Sequence, residues 1–340
     1  MTKQKMNLLR KQVSPFEGSE TSKSVFQLVT TLTLFIAVWV LAYLSLSVSY
    51  LLTLALGIVG AGLLTRIFII FHDCCHYSFF KNRKANQIVG TVTGIITLFP
   101  FYQWQHDHSV HHATSSNLDK RGTGDIWMMT VDEYKNASFW TKVSYRLYRN
   151  PIVMFGLGPI YVFLITNRFN RKGARKKERV NTYITNIAIA AIITVLCYSV
   201  GWQAFLLVHG TIFYIAGIMG IWLFYVQHTF EDSYFEENKE WDFVLAAVEG
   251  SSFYKLPKIL QWFTGNIGFH HVHHLAPRVP NYKLEEAHKS NESLQHVPTI
   301  TLSTSLSSLK FKLWDETNKK FVRFKDIKSQ SKVESVTVTD

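Results

Sequence analysis

The chain has 340 residues, of which 47% are hydrophobic, 14% aromatic and only 18% charged, below the roughly 25% charged residues of ordinary soluble domains. Thirty-six Lys and Arg against 24 Asp and Glu leave a net charge of +12, a balance suited to anionic lipid headgroups or an acidic protein partner rather than to nucleic acid, whose binding motifs are missing from the sequence. Three cysteines, two of them adjacent, make neither a disulfide framework nor a metal-binding pair.

Residues 1–24 are polar and basic, lack the apolar core of a signal peptide, and read as a cytoplasmic tail. Four stretches are long and apolar enough to span a bilayer: 25–44, 50–71, 184–200 and 203–226. Short uncharged turns join them in pairs, predicting transmembrane hairpins over 25–71 and 184–226. Lys3, Lys5, Arg10, Lys11 and Lys23 precede the first hairpin. Arg168, Arg171, Lys172, Arg175, Lys176, Lys177 and Arg179 precede the second. The excess of Lys and Arg places both termini and the region 72–183 in the cytoplasm. Arg66, near the inner end of the second span, can snorkel or pair with a carboxylate. Two shorter apolar segments, 87–101 and 151–166, are interrupted by Gly or Pro and are predicted to re-enter or lie in the interface. Residues 227–340 form a polar cytoplasmic cap whose last stretch, 329–340, is expected to fray. The expected fold is therefore all-α: an integral membrane protein of four transmembrane helices and a helical cap.

Histidine is the residue that composition and hydropathy leave unexplained. Fourteen occur, mostly in three clusters: HDCCH, HDHSVHH and HHVHH. His72 and His76 are four apart. His108, His111 and His112 are spaced i, i+3, i+4, and so are His270, His273 and His274. On helices, each set presents its imidazoles to one side. The first set ends the second span, and His228 ends the fourth. These nine exceed the needs of one metal ion and suit two, with four or five nitrogens each; imidazole alone does not choose between Fe, Zn, Cu and Ni. His106 and His271 fall outside the triplets and suit outer positions around the site or the surface. His209, His288 and His296 are not expected to be ligands.

The segments HDCCHYSFF, WQHDHSVHHATSSNLDKRGTGDIW, FYVQHTFED and GNIGFHHVHHLAPRVPNYKL resemble the membrane fatty acid desaturases, and among them the bacillus-type Δ5 acyl-lipid (phospholipid) desaturases induced by cold. The resemblance implies a non-haem di-iron site in a cytoplasmic cap over four transmembrane helices of the plasma membrane. Its ligands fall on His72, His76, His108, His111, His112, His228, His270, His273 and His274. It also implies the reaction: O2-dependent insertion of a cis double bond into a saturated acyl chain, which adjusts membrane fluidity.

The segments 96–105 and 259–269 are candidate walls for the acyl chain. Asp73, Asp107, Asp125, Asp232, Glu249 and Asn266 are candidates to hold the outer N–H of the ligating rings. The sequence carries no b5-like haem motif, flavin motif or Fe–S cysteine cluster. Electrons are therefore expected from an external carrier such as ferredoxin or flavodoxin, docking at Arg171, Lys172, Arg175, Lys176, Lys177 and Arg179. A related di-iron hydroxylase or ketolase shares the histidine spacing, and a histidine-rich metal transporter is the alternative of another class. A transporter would place its ligands near mid-span, whereas these lie at helix ends.

Overall fold

A computed structural model describes residues 3–327; the stretch 329–340 expected to fray lies outside the described residues. The N-terminal region is not a free tail. Helix α1 (Lys3–Val13) packs Leu9 and Val13 into a buried cluster with Val244, Val272 and Leu275 of the cap. Helices α2 (Thr21–Ser45) and α3 (Tyr50–Cys75) form the first hairpin, pinned near its turn by Ser45 Oγ and Thr53 Oγ1 at 2.8 Å. Of α3's most apolar window 61% is buried, against 17% for α2, so α3 is the central helix and α2 faces lipid. Because α3 continues to Cys75, His72 lies inside the helix rather than just beyond it.

The segment after α3 turns back on itself. Asn82 caps α4 (Arg83–Thr97), accepting hydrogen bonds from the Lys84 and Ala85 amides. Gly90 lets the Phe101 ring and Cys74 come close, and Gly94 does the same for Phe71 and the Phe99 carbonyl. At Leu98, φ is +68°, and α5 (Phe101–Thr114) then runs back toward the end of α3, where the Gln105 side chain donates to the Cys75 carbonyl at 2.7 Å. The expected re-entrant segment 87–101 is thus the inner limb and turn of a helical hairpin.

Past β1 (Met129–Thr130), α6 (Val131–Asn136) and α7 (Phe139–Tyr148), a second dip follows. Pro151–Arg168 is long and apolar enough to count as a fifth candidate span, beyond the four expected. It is broken at Gly158–Pro159 into α8 (Pro151–Gly156) and α9 (Gly158–Leu164), which pack along the last membrane helix. Its two ends come to the same side. Arg149 donates to the Tyr225 hydroxyl at 3.3 Å, and Arg171 lies 3.8 Å from Asp107. The second hairpin is α10 (Lys176–Val200), which starts eight residues earlier than predicted, with α11 (Trp202–Phe205) and α12 (Thr211–His228). Between α11 and α12, Leu206–Gly210 makes a π-helical turn carrying His209. That imidazole accepts from Trp39 Nε1 at 3.1 Å and lies 3.0 Å from the Tyr43 hydroxyl, so it joins the two hairpins. Among the described residues Arg66 finds no carboxylate. It donates to the Trp262 carbonyl, lies over the Trp262 ring at 4.4 Å, and reaches Thr31 at 3.2 Å.

The cap holds α13 (Phe243–Val248), β2 (Phe253–Lys255), α14 (Lys258–Phe263), α15 (His270–Leu275), β3 (Thr299–Thr301), β4 (Leu313–Asp315) and β5 (Lys320–Val322). The all-α expectation is therefore corrected by two small sheets. β2 pairs β3 in parallel; β1 pairs β4 in parallel, and β4 pairs β5 antiparallel. These strands are two or three residues long and pair segments far apart in sequence, so no local periodicity announces them.

Gly90→Val would drive a side chain into the Phe101 ring and tilt the helix that carries His108, His111 and His112. The expected result is a loss of about 1–3 kcal/mol of stability, read as a lower thermal midpoint in detergent. A midpoint equal to wild type would disprove the tight α4–α5 packing.

Candidate metal centre

All nine histidines predicted from spacing converge at one end of the helices. They divide into two groups: His72, His76, His108, His112 and His273, and His111, His228, His270 and His274. Within each group one nitrogen per ring lies within 4.8 Å of the others, and each group can hold a metal ion. The stacked rings of His112 and His274, 4.2 Å apart, join the two groups.

The spacing of the nitrogens carries more information than their number. In the first group His72 Nε2 lies 3.1 Å from His273 Nε2, which is 2.9 Å from His112 Nε2, itself 3.1 Å from His108 Nε2. In the second, His228 Nε2 stands 3.2 Å from that of His111 and 2.9 Å from that of His270. The latter is 3.1 Å from His274 Nε2. Nitrogens about 2.1 Å from a common ion and about 90° apart sit about 3.0 Å from each other.

Hydrogen positions follow from the outer partners. His228 Nδ1 faces the Gly250 carbonyl at 3.2 Å, and His72 Nδ1 faces the Asp73 carboxylate at 3.2 Å. Both neighbours only accept, so in a neutral ring Nδ1 carries the hydrogen and Nε2 keeps a bare lone pair. Those lone pairs point at other imidazole nitrogens. His76 Nε2 is buried with no hydrogen-bond partner at all. A cation between the rings resolves both conflicts, and neutral nitrogen donors fit a transition ion. Burial, reinforced by neighbouring imidazoles, pushes His108, His111, His112, His270, His273 and His274 well below the usual imidazole range, so these rings are neutral near pH 7.

Each histidine element is tied down from outside. Asp73 Oδ2 accepts from the Asn281 amide at 2.7 Å and from Asn281 Nδ2 at 2.8 Å. The Gln27 side chain on α2 then donates to Asn281 Oδ1 at 2.9 Å. On the other side, Gln227 donates to the Ile267 carbonyl at 2.8 Å, fixing the end of α12 against the approach to α15. That approach is a tight turn in which Gly265 and Asn266 both have φ near +55°, at +52° and +58°. A side chain at Gly265 would also strike Ile69.

The other predicted residues spread more widely. Asp107 and Asp125 line the adjoining cavity, and burial raises both above the usual carboxylate range. Asp125 accepts from the Gly122 amide, and Asp107 approaches Arg171. Asn266 Nδ2 donates to the Asn281 carbonyl and so reaches the histidines only through Asn281. Asp232 is exposed. Glu249 contributes its backbone carbonyl to Tyr234, and the residue after it, Gly250, holds His228. His271 is neither at the surface nor beside the metal groups: it is buried 3.0 Å from His288 Nδ1. His106 is half-buried and His296 exposed. Spacing alone did not single out Asn281 or Gln27, each a lone amide in its own segment.

A cavity of about 400 Å3 starts at His72, His108 and His270 and runs between α3, α9 and α12 past Phe68, Phe163 and Ala216. Of the stretch 96–105, Thr97, Phe99, Gln103 and Trp104 line it. Of 259–269 only Ile267 does, because Trp262 and Phe263 pack on α3 instead. Gly220 borders the cavity with open space where a side chain would stand.

The family model described as fatty acid desaturase matches residues 45–300. A Bacillus subtilis protein named fatty acid desaturase is 68% identical over 324 residues, 95% of this chain and 92% of its own length. The chloroplastic omega-6 fatty acid desaturase of Arabidopsis thaliana is 29% identical over 84% of this chain and 62% of its own. An sn-1 acyl-lipid omega-3 desaturase (ferredoxin) of Synechocystis is 27% identical over 68% of this chain and 64% of its own.

Asn281→Ala removes one of the two hydrogen bonds on Asp73 Oδ2 and frees the His72 ring. Metal affinity is expected to fall about 10–100-fold, measured by chelator competition; an unchanged affinity would exclude this anchor.

Acid acts on the metal-free protein with a definite sign. Imidazoles in the unfolded chain take protons near pH 6.5 while the buried ones resist, so the unfolded state binds more protons and stability decreases as the pH is lowered. The melting temperature of the metal-free protein should drop as pH falls from 7 toward 5. A flat profile would contradict the burial of these rings in neutral form.

Proposed function

This chain belongs to the fatty acid desaturase family and is an oxidoreductase acting on acyl lipids, and we propose that it inserts a cis double bond, at the Δ5 position, into saturated acyl chains of membrane phospholipids at the expense of O2. The observation that carries this reading is the meeting of two histidine groups with one end of an apolar cavity. The net reaction removes two hydrogens from adjacent methylenes, consumes one O2, two electrons and two protons, and releases two waters.

Two iron ions are proposed, one on His72, His76, His108, His112 and His273, the other on His111, His228, His270 and His274. When bound they supply the oxidising power that an unactivated C–H bond demands and that no side chain possesses. The protein's own part is positioning. Apolar walls draw in the chain at about 0.8 kcal/mol per buried methylene. The Phe68 and Trp104 rings, 5.4 Å apart, flank the passage beside His72 and His108. His72, held by Asp73, and His228, held by Gly250, keep their lone pairs aimed inward.

Electrons come from a small acidic carrier, ferredoxin or flavodoxin, docking on the exposed Lys172, Arg175, Lys176, Lys177 and Arg179. Arg171 of the same run turns inward to Glu178, at 2.7 Å, and Asp107. The Synechocystis relative bears ferredoxin in its name. We place the chain in the plasma membrane with four crossings and the histidines in the cytoplasm. The Lys and Arg distribution supports this, as do the two dips that return to the histidine end.

Expression in a host without desaturases should yield new Δ5-monounsaturated chains in its phospholipids, and His108→Ala or His273→Ala should abolish them. Persistence of the alkene in either variant would refute the assignment, and a hydroxylated product would mark the enzyme as a hydroxylase instead.

A further inference from the structure

Beside the second histidine group lies another, much smaller cavity. It measures about 30 Å3, and its lining includes His111, His228, Thr114, Ser116, Arg121 and Thr229. Asp125, Ile126 and Phe224 belong to the walls of both this chamber and the acyl cavity, so the two are neighbours. The larger space runs past Phe68, Phe163 and Ala216; the smaller is ringed by hydroxyls and a guanidinium. Thr114 and Arg121 are half-buried, which sets the solvent side of the chamber.

Two polar atoms of this lining have no partner. Ser116 Oγ and Arg121 Nη1 are buried without a hydrogen bond, although Arg121 Nη2 is held by Glu133. Ser116 is 6% exposed, and its segment is fixed. The Ser116 carbonyl accepts from the Glu236 amide at 3.1 Å, and the Ser115 carbonyl accepts from Trp241 Nε1 at 2.9 Å. At Ser116 φ is +61°, in the left-handed region that suits glycine and strains a residue with a Cβ. The hydroxyl stands against Gly250, where a Cβ would strike it, and the Gly250 carbonyl faces His228 Nδ1. A strained position thus carries an unpaired hydroxyl beside the backbone that holds a histidine of the second group. Native proteins satisfy buried polar atoms with protein groups or water, and a polar space of about 10–15 Å3 already holds one water. Here Arg121 Nη1 donates, and Ser116 Oγ both donates and accepts.

We propose that this chamber seats an ordered water, positioned by Ser116 and Arg121, through which protons reach the second histidine group. The inference rests on the desaturase reading above and adds the proton route to it. That reaction consumes two protons, and an apolar cavity filled by an acyl chain offers them no path. The chamber water gives a proton toward the dioxygen being reduced beside His111 and His228, and regains one from solvent on the Thr114 and Arg121 side. Two such protons, two electrons from the external carrier and two hydrogens from the acyl chain turn one O2 into two waters. The chamber water itself is returned unchanged.

The test uses the full iron-loaded chain in mixed micelles of dipalmitoylphosphatidylglycerol, with O2 and reduced ferredoxin. Ser116→Ala removes the hydroxyl but keeps the Cβ and its backbone strain, so thermal midpoint and metal content should stay at wild-type values. Alkene formation should fall about 100-fold, and the ratio of rates in H2O and D2O should rise above that of wild type. Ser116→Gly leaves room for an additional water where the hydroxyl stood and should recover most of the rate. Independently of turnover, a density map of wild type that resolves ordered water should show one within hydrogen-bonding distance of Ser116 Oγ and Arg121 Nη1. A dry chamber in that map overturns the proposal. So does a Ser116→Ala variant with the wild-type rate and the wild-type isotope ratio. In both cases alkene from wild type leaves the desaturase reading standing. A wild type that forms no alkene, with iron bound and ferredoxin reduced, brings down that reading and the proton route together.

Discussion

Nine imidazoles packed into so small a volume call for something positive among them. Nε2 atoms about 3 Å apart with lone pairs facing one another repel, and burying polar nitrogens without partners is unfavourable in itself. The fold holds this arrangement by fixing the rings from the back, through Asp73 to His72 and the Gly250 carbonyl to His228. The buried helix α3, the α4–α5 hairpin and the short helix α15 are there to bring ring nitrogens to one place. Metal held in the centre would turn a locally unfavourable cluster into a joint between segments distant in sequence.

That requirement explains features that look accidental along the chain. Glycines at 90 and 94 let α4 lie close to α3 and α5, so that His108, His111 and His112 reach the level of His72. The break at Gly158–Pro159 shortens an apolar segment so that it returns to the histidine end while still packing on α12, with a cavity left beside that helix. Gly220, open on its cavity side, belongs to the same design.

Much of this could be read from residue order. Long apolar runs give the hairpins, because a bilayer-spanning helix has a length that hydropathy measures directly. The histidine triplets give the metal groups, because three-and-four spacing is a property of the helix itself. Parity gave the dips: His72, His228 and the third cluster fix one side, and the second cluster must join them. Other features depend on long-range geometry. Asn281 is one amide among many until the fold sets it against Asp73. The β1–β4 pairing joins residues 129–130 to 313–314, too short and too distant for any periodic signal. Helix α1 reads as a tail in the sequence because it is polar and basic, and the burial of Leu9 and Val13 is set by the cap and not by a local pattern. His271 and His288 meet each other in the cap, a pairing that their spacing, which set both apart from the ligand triplets, does not reveal.

The bond between Asp73 and Asn281 spans 208 residues. At about 5–20 residues per second of synthesis, the first histidine pair leaves the ribosome roughly 10–40 s before the amide that steadies it. During that interval the early hairpin is already long enough to insert, while the third histidine cluster does not yet exist. Capture of a metal ion by the two groups is therefore a closing event in biogenesis, because a nascent chain stalled before residue 270 lacks three of the nine rings.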